Sequence, residues 1–197
     1  MEKIFDVLID SFVEHEVGIA NHFLSVSLAA HLKENLVHLI RQEELLPAKI
    51  GNNETSHEDN QIRSDVIYWL DRKHENQYEN EFLDVMDRFV VYLNSTCYTG
   101  ITGYEFHYTL YEKGAYYKKH IDQFQSNGSR KFSMVMYLNE NWMATDGGEL
   151  CIHHENTQQH ISPENRKGVF FKSDELEHEV LMTSVPRMSI TGWLKIN

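Results

Sequence analysis

Two histidines and one aspartate have the residue types and the spacing that a metal centre needs. His120 and Asp122 are separated by one residue, so an extended strand would point both side chains to the same side. His178 follows much later in the chain and would come from a different strand. Two histidines and one carboxylate that leave coordination positions open suit non-haem Fe(II), which activates dioxygen.

An arginine on an apolar strand lies shortly after the second histidine. Arg187, Ser189 and Thr191 alternate with Met188 and Ile190, a pattern that predicts a strand with the arginine on its polar face. An arginine on a core strand needs an anion. Because a planar guanidinium binds a carboxylate through two parallel hydrogen bonds, Arg187 is a candidate anchor for a dicarboxylate co-substrate such as 2-oxoglutarate.

The elements that position these residues fall into a helical first half and a strand-rich second half. Apolar residues at helical spacing predict helices over 25–41 and 80–93. Short alternating segments predict strands at 105–111, 115–122, 131–138, 148–153, 168–171, 177–182 and 187–194. We therefore expect an α+β protein, a double-stranded β-helix of jelly-roll type with N-terminal helices packed on one sheet. One domain over 1–197 is expected, with a helical support region at 1–100 and the catalytic core at 101–197.

Several segments carry a family resemblance. They are Tyr-Glu-Lys-Gly-Ala-Tyr-Tyr at 111–117, the His120/Asp122 pair, Met-Tyr-Leu-Asn at 136–139, Gly-Gly-Glu-Leu at 147–150 and the strand from Arg187 to Trp193. Together they resemble the 2-oxoglutarate/Fe(II)-dependent dioxygenases of the prolyl 4-hydroxylase family, in particular the oxygen-sensing branch and its bacterial relatives. The segment 62–70 is similar to the one that precedes the barrel in that branch, with Ser64 where glycine is usual.

The resemblance implies cofactors and residue roles. Fe(II), 2-oxoglutarate and O2 would be required, with ascorbate as a candidate reductant. Arg187 and Tyr137 would hold the distal carboxylate of 2-oxoglutarate, Tyr111 would face its iron-proximal end, and Thr191 would line the same pocket. Asp65 and Arg130 would form a structural ion pair between the leading segment and the barrel. No catalytic residue beyond the metal centre is implied.

The resemblance also implies a reaction, in which a prolyl residue of a peptide or protein is hydroxylated at C4 and succinate and CO2 are released. A protein of the translation apparatus is one candidate target, by analogy alone.

Composition and charge limit the classes of partner that this chain is expected to bind. The chain has 197 residues and a formal net charge of −12, so a nucleic acid backbone would be repelled. There is no run of about 18 apolar residues, so no membrane association is expected. The two cysteines form no Cys-x-x-Cys motif and the N-terminus lacks a signal-peptide pattern, which predicts a cytoplasmic protein. Oligomeric state is not readable from the sequence.

Other interpretations stay open. An oxygenase of the same fold could act on a free amino acid or another small molecule, and a non-catalytic iron and 2-oxoglutarate sensor could use the same ligands. A zinc hydrolase is a weaker alternative, because nothing nearby identifies a general base. For Tyr137 and Tyr111, a role as core residues is the alternative to contact with the co-substrate. His153 and His154 are adjacent, so a strand would point them in opposite directions, and we expect them at the surface.

Overall fold

The computed structural model describes residues 2–48, 61–123 and 128–196. These ranges contain three α-helices: α1 (Glu2–His15), α2 (Val26–Arg41) and α3 (Gln77–Thr96). They also contain eleven strands: β1 (Val17–Ala20), β2 (Leu46–Pro47), β3 (Val66–Trp69), β4 (Gly103–Tyr111), β5 (Tyr117–His120), β6 (Arg130–Tyr137), β7 (Leu150–His153), β8 (Gln158–Ile161), β9 (Gly168–Lys172), β10 (Glu177–Val180) and β11 (Arg187–Lys195).

The strands form two antiparallel sheets. The major sheet has seven strands in the order β1-β9-β6-β11-β4-β3-β2, and the minor sheet has four in the order β5-β10-β7-β8. Apolar residues from both sheets, including Val135 and Phe171 of the major sheet and Leu150 and Ile152 of the minor sheet, share one buried cluster. The sheets therefore pack face to face around a common interior, which confirms the predicted double-stranded β-helix.

Strand alternation separates the two faces of the major sheet. Along β6, Met134 and Met136 pack into the helix-side core, while Val135 and Tyr137 face the interior between the sheets. The helix-side core also contains buried residues of all three helices, so the helices cover one sheet as expected. Helix α2 begins after Ser25, whose hydroxyl accepts a hydrogen bond from the Leu28 amide at 3.1 Å.

All seven predicted strands and both predicted helices are present, with ends shifted by a few residues. The region 1–100 is not purely helical, because β1 and β3 belong to the major sheet. Strand β1 is short and contains Gly18, where an added Cβ would lie 2.5 Å from the carbonyl oxygen of Leu8 in α1. That glycine permits the close approach of α1, and it also weakens the strand pattern.

Strand β8 was missed because three of its four residues are polar, and helix α1 was not predicted either. Within the described ranges, no helix has both the length and the apolar composition needed to cross a membrane.

Candidate functional site

The three predicted metal ligands converge at one end of the minor sheet. His120 ends β5 and pairs across the sheet with His178 of β10, and Asp122 lies just past β5. The aspartate Oδ1 is 3.3 Å from His120 Nε2, and its Oδ2 is 3.5 Å from His178 Nε2. One donor atom from each residue lies within 4.8 Å of the other two, as a single ion requires.

Backbone carbonyls orient both imidazoles. His120 Nδ1 lies 2.7 Å from the carbonyl oxygen of Lys118, and His178 Nδ1 lies 3.0 Å from that of Leu176. A carbonyl can only accept, so each Nδ1 carries a proton, and each Nε2, the nitrogen that faces Asp122, is the atom that would bind a metal. This is the arrangement that orients histidine ligands in metal sites.

Asp122 is held ionised by its neighbours. Burial alone would raise its pKa, but His178 and His120 hold the pKa of Asp122 well below its usual value. Its Oδ2 also accepts a 2.6 Å hydrogen bond from the hydroxyl of Ser133, which in turn contacts Ser173 at 2.9 Å. The major sheet thereby fixes the one carboxylate of the triad.

Aromatic rings pack around the histidines. Tyr117 stacks on His120 with ring centroids 3.5 Å apart, and the guanidinium of Arg63 lies 4.3 Å above the Tyr117 ring. Phe171 of β9 meets His178 edge to face at 4.8 Å. Sequence reasoning did not assign Tyr117, Arg63 or Ser133 to the site, because their contacts depend on strand pairing.

The predicted anion pocket lies at the start of β11. Arg187 is 2% exposed, and its Nε donates to the carbonyl oxygen of Gly148 at 2.7 Å. Its guanidinium carbon lies 5.0 Å from the ring centres of both Tyr111 and Tyr137. Among the described residues, no carboxylate is within ion-pairing distance of Arg187. A buried guanidinium without a counter-ion is a site for an anionic ligand.

The Tyr137 hydroxyl supports the same interpretation. It is fully buried and has no hydrogen-bond partner among the described residues. Burial raises the pKa of Tyr137, with Arg187 opposing part of that rise, so the phenol is a neutral donor. Burial likewise raises the pKa of Tyr111 well above its ordinary value. An uncharged donor beside a buried guanidinium can bind a carboxylate.

Thr191 lies on the same face of β11 as Arg187, as the alternation predicted. Its hydroxyl accepts from Thr109 of β4 at 3.3 Å and lies 3.4 Å from the Ser189 hydroxyl. The structure thus places Thr191 in a row of hydroxyls that begins beside Arg187.

The predicted ion pair between Asp65 and Arg130 is wrong. Asp65 binds Arg63, with Arg63 Nε to Oδ1 at 2.8 Å and Nη2 to Oδ2 at 2.6 Å. Arg130 binds Glu105 of β4 at 2.8 Å and lies 3.4 Å above the Trp193 ring. Residues two apart on extended backbone reach the same side, so Arg63 satisfies the buried Asp65 locally.

Comparisons with known proteins agree with this geometry. Residues 106–195 match the 2OG-Fe(II) oxygenase superfamily. The chain is 31% identical to a Pseudomonas putida prolyl-4-hydroxylase of known structure, with a TM-score of 0.87 over 98% of this chain and 99% of that one.

Two further relatives extend the comparison. A Trichoplax adhaerens prolyl hydroxylase, solved with a hypoxia inducible factor peptide fragment, is 24% identical with a TM-score of 0.88, covering 98% of this chain and 90% of that one. A Caenorhabditis elegans hypoxia-inducible factor prolyl hydroxylase is 34% identical over 142 residues, which are 67% of this chain but 20% of that protein.

Fold, ligand set and match together define an Fe(II)- and 2-oxoglutarate-dependent dioxygenase. Within that class, the chain belongs to the prolyl 4-hydroxylase family. The residues present fit the cofactors, because the triad offers two nitrogens and one carboxylate, while Arg187 and Tyr137 offer unmatched buried donors.

Proposed function

We propose that this protein hydroxylates a prolyl residue of a protein or peptide substrate at C4, consuming 2-oxoglutarate and O2 and releasing succinate and CO2. The observation that carries the proposal is the buried Arg187, which has no carboxylate partner among the described residues and shares the interior with the His120, Asp122 and His178 triad. The family supplies the prolyl class of substrate.

The residues have distinct roles in this reaction. His120, Asp122 and His178 would hold Fe(II), and Arg187 with Tyr137 would hold the distal carboxylate of 2-oxoglutarate. Tyr111 and Thr191 would line the same pocket. When bound, iron and 2-oxoglutarate supply the oxidation, in which O2 is consumed, 2-oxoglutarate loses CO2 and one oxygen atom enters the substrate. The protein orients both and excludes water from the buried end.

The substrate would enter at the end of the interior that lies away from Arg187. Arg187 begins β11 and is buried, whereas Trp69 of β3, which pairs with His107 of β4 at the level of Thr191, is 46% exposed. Trp69 contacts His107 edge to face at 5.0 Å, and its ring centre is 6.5 Å from that of Trp193. We propose that the prolyl segment packs against the exposed indole of Trp69, whose apolar face suits a proline ring.

The first test is binding of the cofactors. Under anaerobic conditions, adding Fe(II) and then 2-oxoglutarate should produce the weak visible charge-transfer band of the chelated complex. The band should be absent in His178→Ala. Absence of the band in the wild-type protein, with tightly bound zinc found instead, would overturn the proposal and favour a hydrolytic or binding role.

The second test is product formation. Translation-apparatus proteins are the first proposed target, so they are purified from cells that lack this enzyme and incubated with it, Fe(II), 2-oxoglutarate and O2. Peptide mass spectrometry should find one added oxygen on a proline, absent with Asp122→Ala. Other proteins and free amino acids follow as targets. Turnover only with free amino acids would support the small-molecule oxygenase, and binding without consumption of 2-oxoglutarate would support the sensor.

A further inference from the structure

A second group of metal-ligating side chains lies on the outer face of the minor sheet. Because Leu150 and Ile152 of β7 point into the interior, the alternating Cys151 and His153 point outward. The register pairs Cys151 with His160 of β8 on one side and with Glu179 of β10 on the other. Three neighbouring strands therefore bring their ligating groups to one place.

The donor atoms converge on the cysteine sulfur. Cys151 Sγ lies 3.8 Å from His153 Nε2 and 3.8 Å from His160 Nε2. His153 Nε2 is also 2.9 Å from Glu179 Oε1. A tetrahedral zinc ion with ordinary bond lengths would separate sulfur from nitrogen by about 3.5 Å. Both sulfur–nitrogen spacings are within a few tenths of an ångström of that value, and Cys151, His153 and Glu179 offer donor atoms that all lie within 4.8 Å of one another. His160 is not part of that group, so its Nε2 would have to move closer to His153 and Glu179 to become the fourth ligand.

The far side of each imidazole has a partner of its own. His160 Nδ1 is 3.0 Å from Glu149 Oε2, and His153 Nδ1 is 3.2 Å from Gln158 Nε2. A carboxylate on Nδ1 places the proton there and leaves Nε2 free, as in histidines that bind metals. Gln158 instead presents its amide nitrogen to His153, so without a metal the His153 proton lies on Nε2 and is donated to Glu179. Metal binding would displace that proton, with the Gln158 amide turned to present its oxygen to Nδ1.

The charges around the thiol also favour a cation. Cys151 is 1% exposed, and burial together with Glu179 and Glu149 raises the pKa of its thiol. Without a metal, the thiol is thus protonated beside two carboxylates. A divalent ion would deprotonate the thiol, and its two positive charges would match the thiolate and the Glu179 carboxylate.

We propose that Cys151, His153, His160 and Glu179 bind a divalent transition metal of the zinc class, at a site separate from the iron centre. A mixed sulfur, nitrogen and oxygen set selects zinc or cobalt over magnesium and calcium, which take oxygen ligands. The ion would cross-link β7, β8 and β10, and Glu179 directly follows the iron ligand His178. This proposal does not depend on the proposed hydroxylase activity.

Cobalt(II) provides a test, because cysteine ligation gives a thiolate-to-cobalt charge-transfer band in the near ultraviolet. The iron triad contains no cysteine and cannot produce that band. The full-length Asp122→Ala variant, in which the iron triad is incomplete, is titrated with Co2+ alone. We expect one equivalent to bind with the band, and Zn2+ to displace it.

Two variants and one control assign the ligands. Adding Cys151→Ser to the Asp122→Ala variant should abolish the thiolate-to-cobalt band. Adding Cys97→Ser, at the exposed second cysteine, should leave the band unchanged. Because Cys151 is buried, His160→Gln is the second variant, at a side chain that is 43% exposed. It should weaken cobalt binding at least tenfold. Cobalt binding without a thiolate band, no binding at all, or undiminished binding in His160→Gln would each overturn the proposal.

Discussion

Tyr137 and Arg187 are both buried in forms that are unfavourable for stability. A buried hydroxyl without a partner costs about 1–3 kcal/mol, and a buried charge without a counter-ion costs more. Both groups face the same space beside Tyr111. A dicarboxylate bound there would satisfy both, so the cost to the free protein becomes affinity for the co-substrate.

Tyr137→Phe separates the effect of the hydroxyl on protein stability from its effect on affinity for 2-oxoglutarate. The variant removes a hydroxyl that has no partner among the described residues, so the free energy of unfolding should stay the same or rise slightly. The apparent KM for 2-oxoglutarate should rise roughly tenfold, the equivalent of about 1.4 kcal/mol for one lost hydrogen bond. Denaturant unfolding and steady-state kinetics measure the two quantities. Loss of stability with an unchanged KM would show that the tyrosine is only a core residue.

His107 should make folding stability depend on pH. Burial lowers the pKa of His107 from its ordinary value of 6.5 to about 4, and the positive charges of Arg63 and Arg130 lower it as well. The hydrogen bond to the Tyr108 carbonyl and the charge of Asp65 oppose this shift. The unfolded chain therefore binds more protons between these values, and stability is lost as pH falls through that window. Lowering the pH from about 7 to about 5 should cost about 2 kcal/mol through this residue alone.

Urea unfolding of wild type and His107→Gln at both pH values checks this expectation. The variant should lose less stability on acidification by about that amount. Equal losses in the two proteins would mean that His107 remains accessible to protons in the folded state.

At the scale of elements, β11 organises the site because it lies between β4 and β6 in the major sheet. Gly192 lies in this strand where an added Cβ would be 2.2 Å from both the Glu105 carbonyl oxygen and Phe106 Cδ1. A backbone oxygen cannot rotate away. The glycine thus sets the spacing of β11 against β4, and with it the row from Arg187 to Thr191.

Gly192→Ala should destabilise the protein by about 2–3 kcal/mol, because the overpacked strand must shift. Gly103→Ala is the matched control, since Gly103 is likewise a strand glycine, in the neighbouring β4, and an added Cβ there meets nothing within 4 Å. Its effect should stay within about 0.5 kcal/mol. Urea midpoints for both variants test the expectation, and similar midpoints would contradict the packing argument.

Local alternation made much of the site predictable from the sequence. His120 with Asp122, and Arg187 with Thr191, share faces because residues two apart on a strand do so, whatever the rest of the fold. The Asp65 partner was predicted wrongly because an ion pair between distant residues depends on the full arrangement of neighbours, and Arg63 was nearer. Tyr117 and Ser133 were missed for the same reason, as their contacts require the pairing of β5 with β10 and the packing of one sheet on the other.

At the scale of the whole molecule, the centre is shared between the two sheets. The histidines come from β5 and β10 of the minor sheet, whereas Arg187 and Tyr137 come from β11 and β6 of the major sheet. Ser133 of β6 reaches across to Asp122. A metal with its co-substrate would therefore bridge the sheets and should stabilise the whole fold by linkage.

This linkage can be dissected by unfolding experiments under anaerobic conditions. Fe(II) alone should stabilise the wild type, and 2-oxoglutarate at one hundred times its Kd should add about 2.7 kcal/mol. Arg187→Gln should keep the iron increment and lose the second, and Asp122→Ala should lose both. If Arg187→Gln retained the full 2-oxoglutarate increment, the anchor would have to be another residue.

The division between sheets also has an evolutionary consequence. Substitutions in β6 and β11 can alter which acid is accepted while the two histidines and their carbonyl partners in the minor sheet stay as they are. Provided that Ser133, the β6 residue that holds Asp122, is kept, selection can change the co-substrate without first dismantling the metal site.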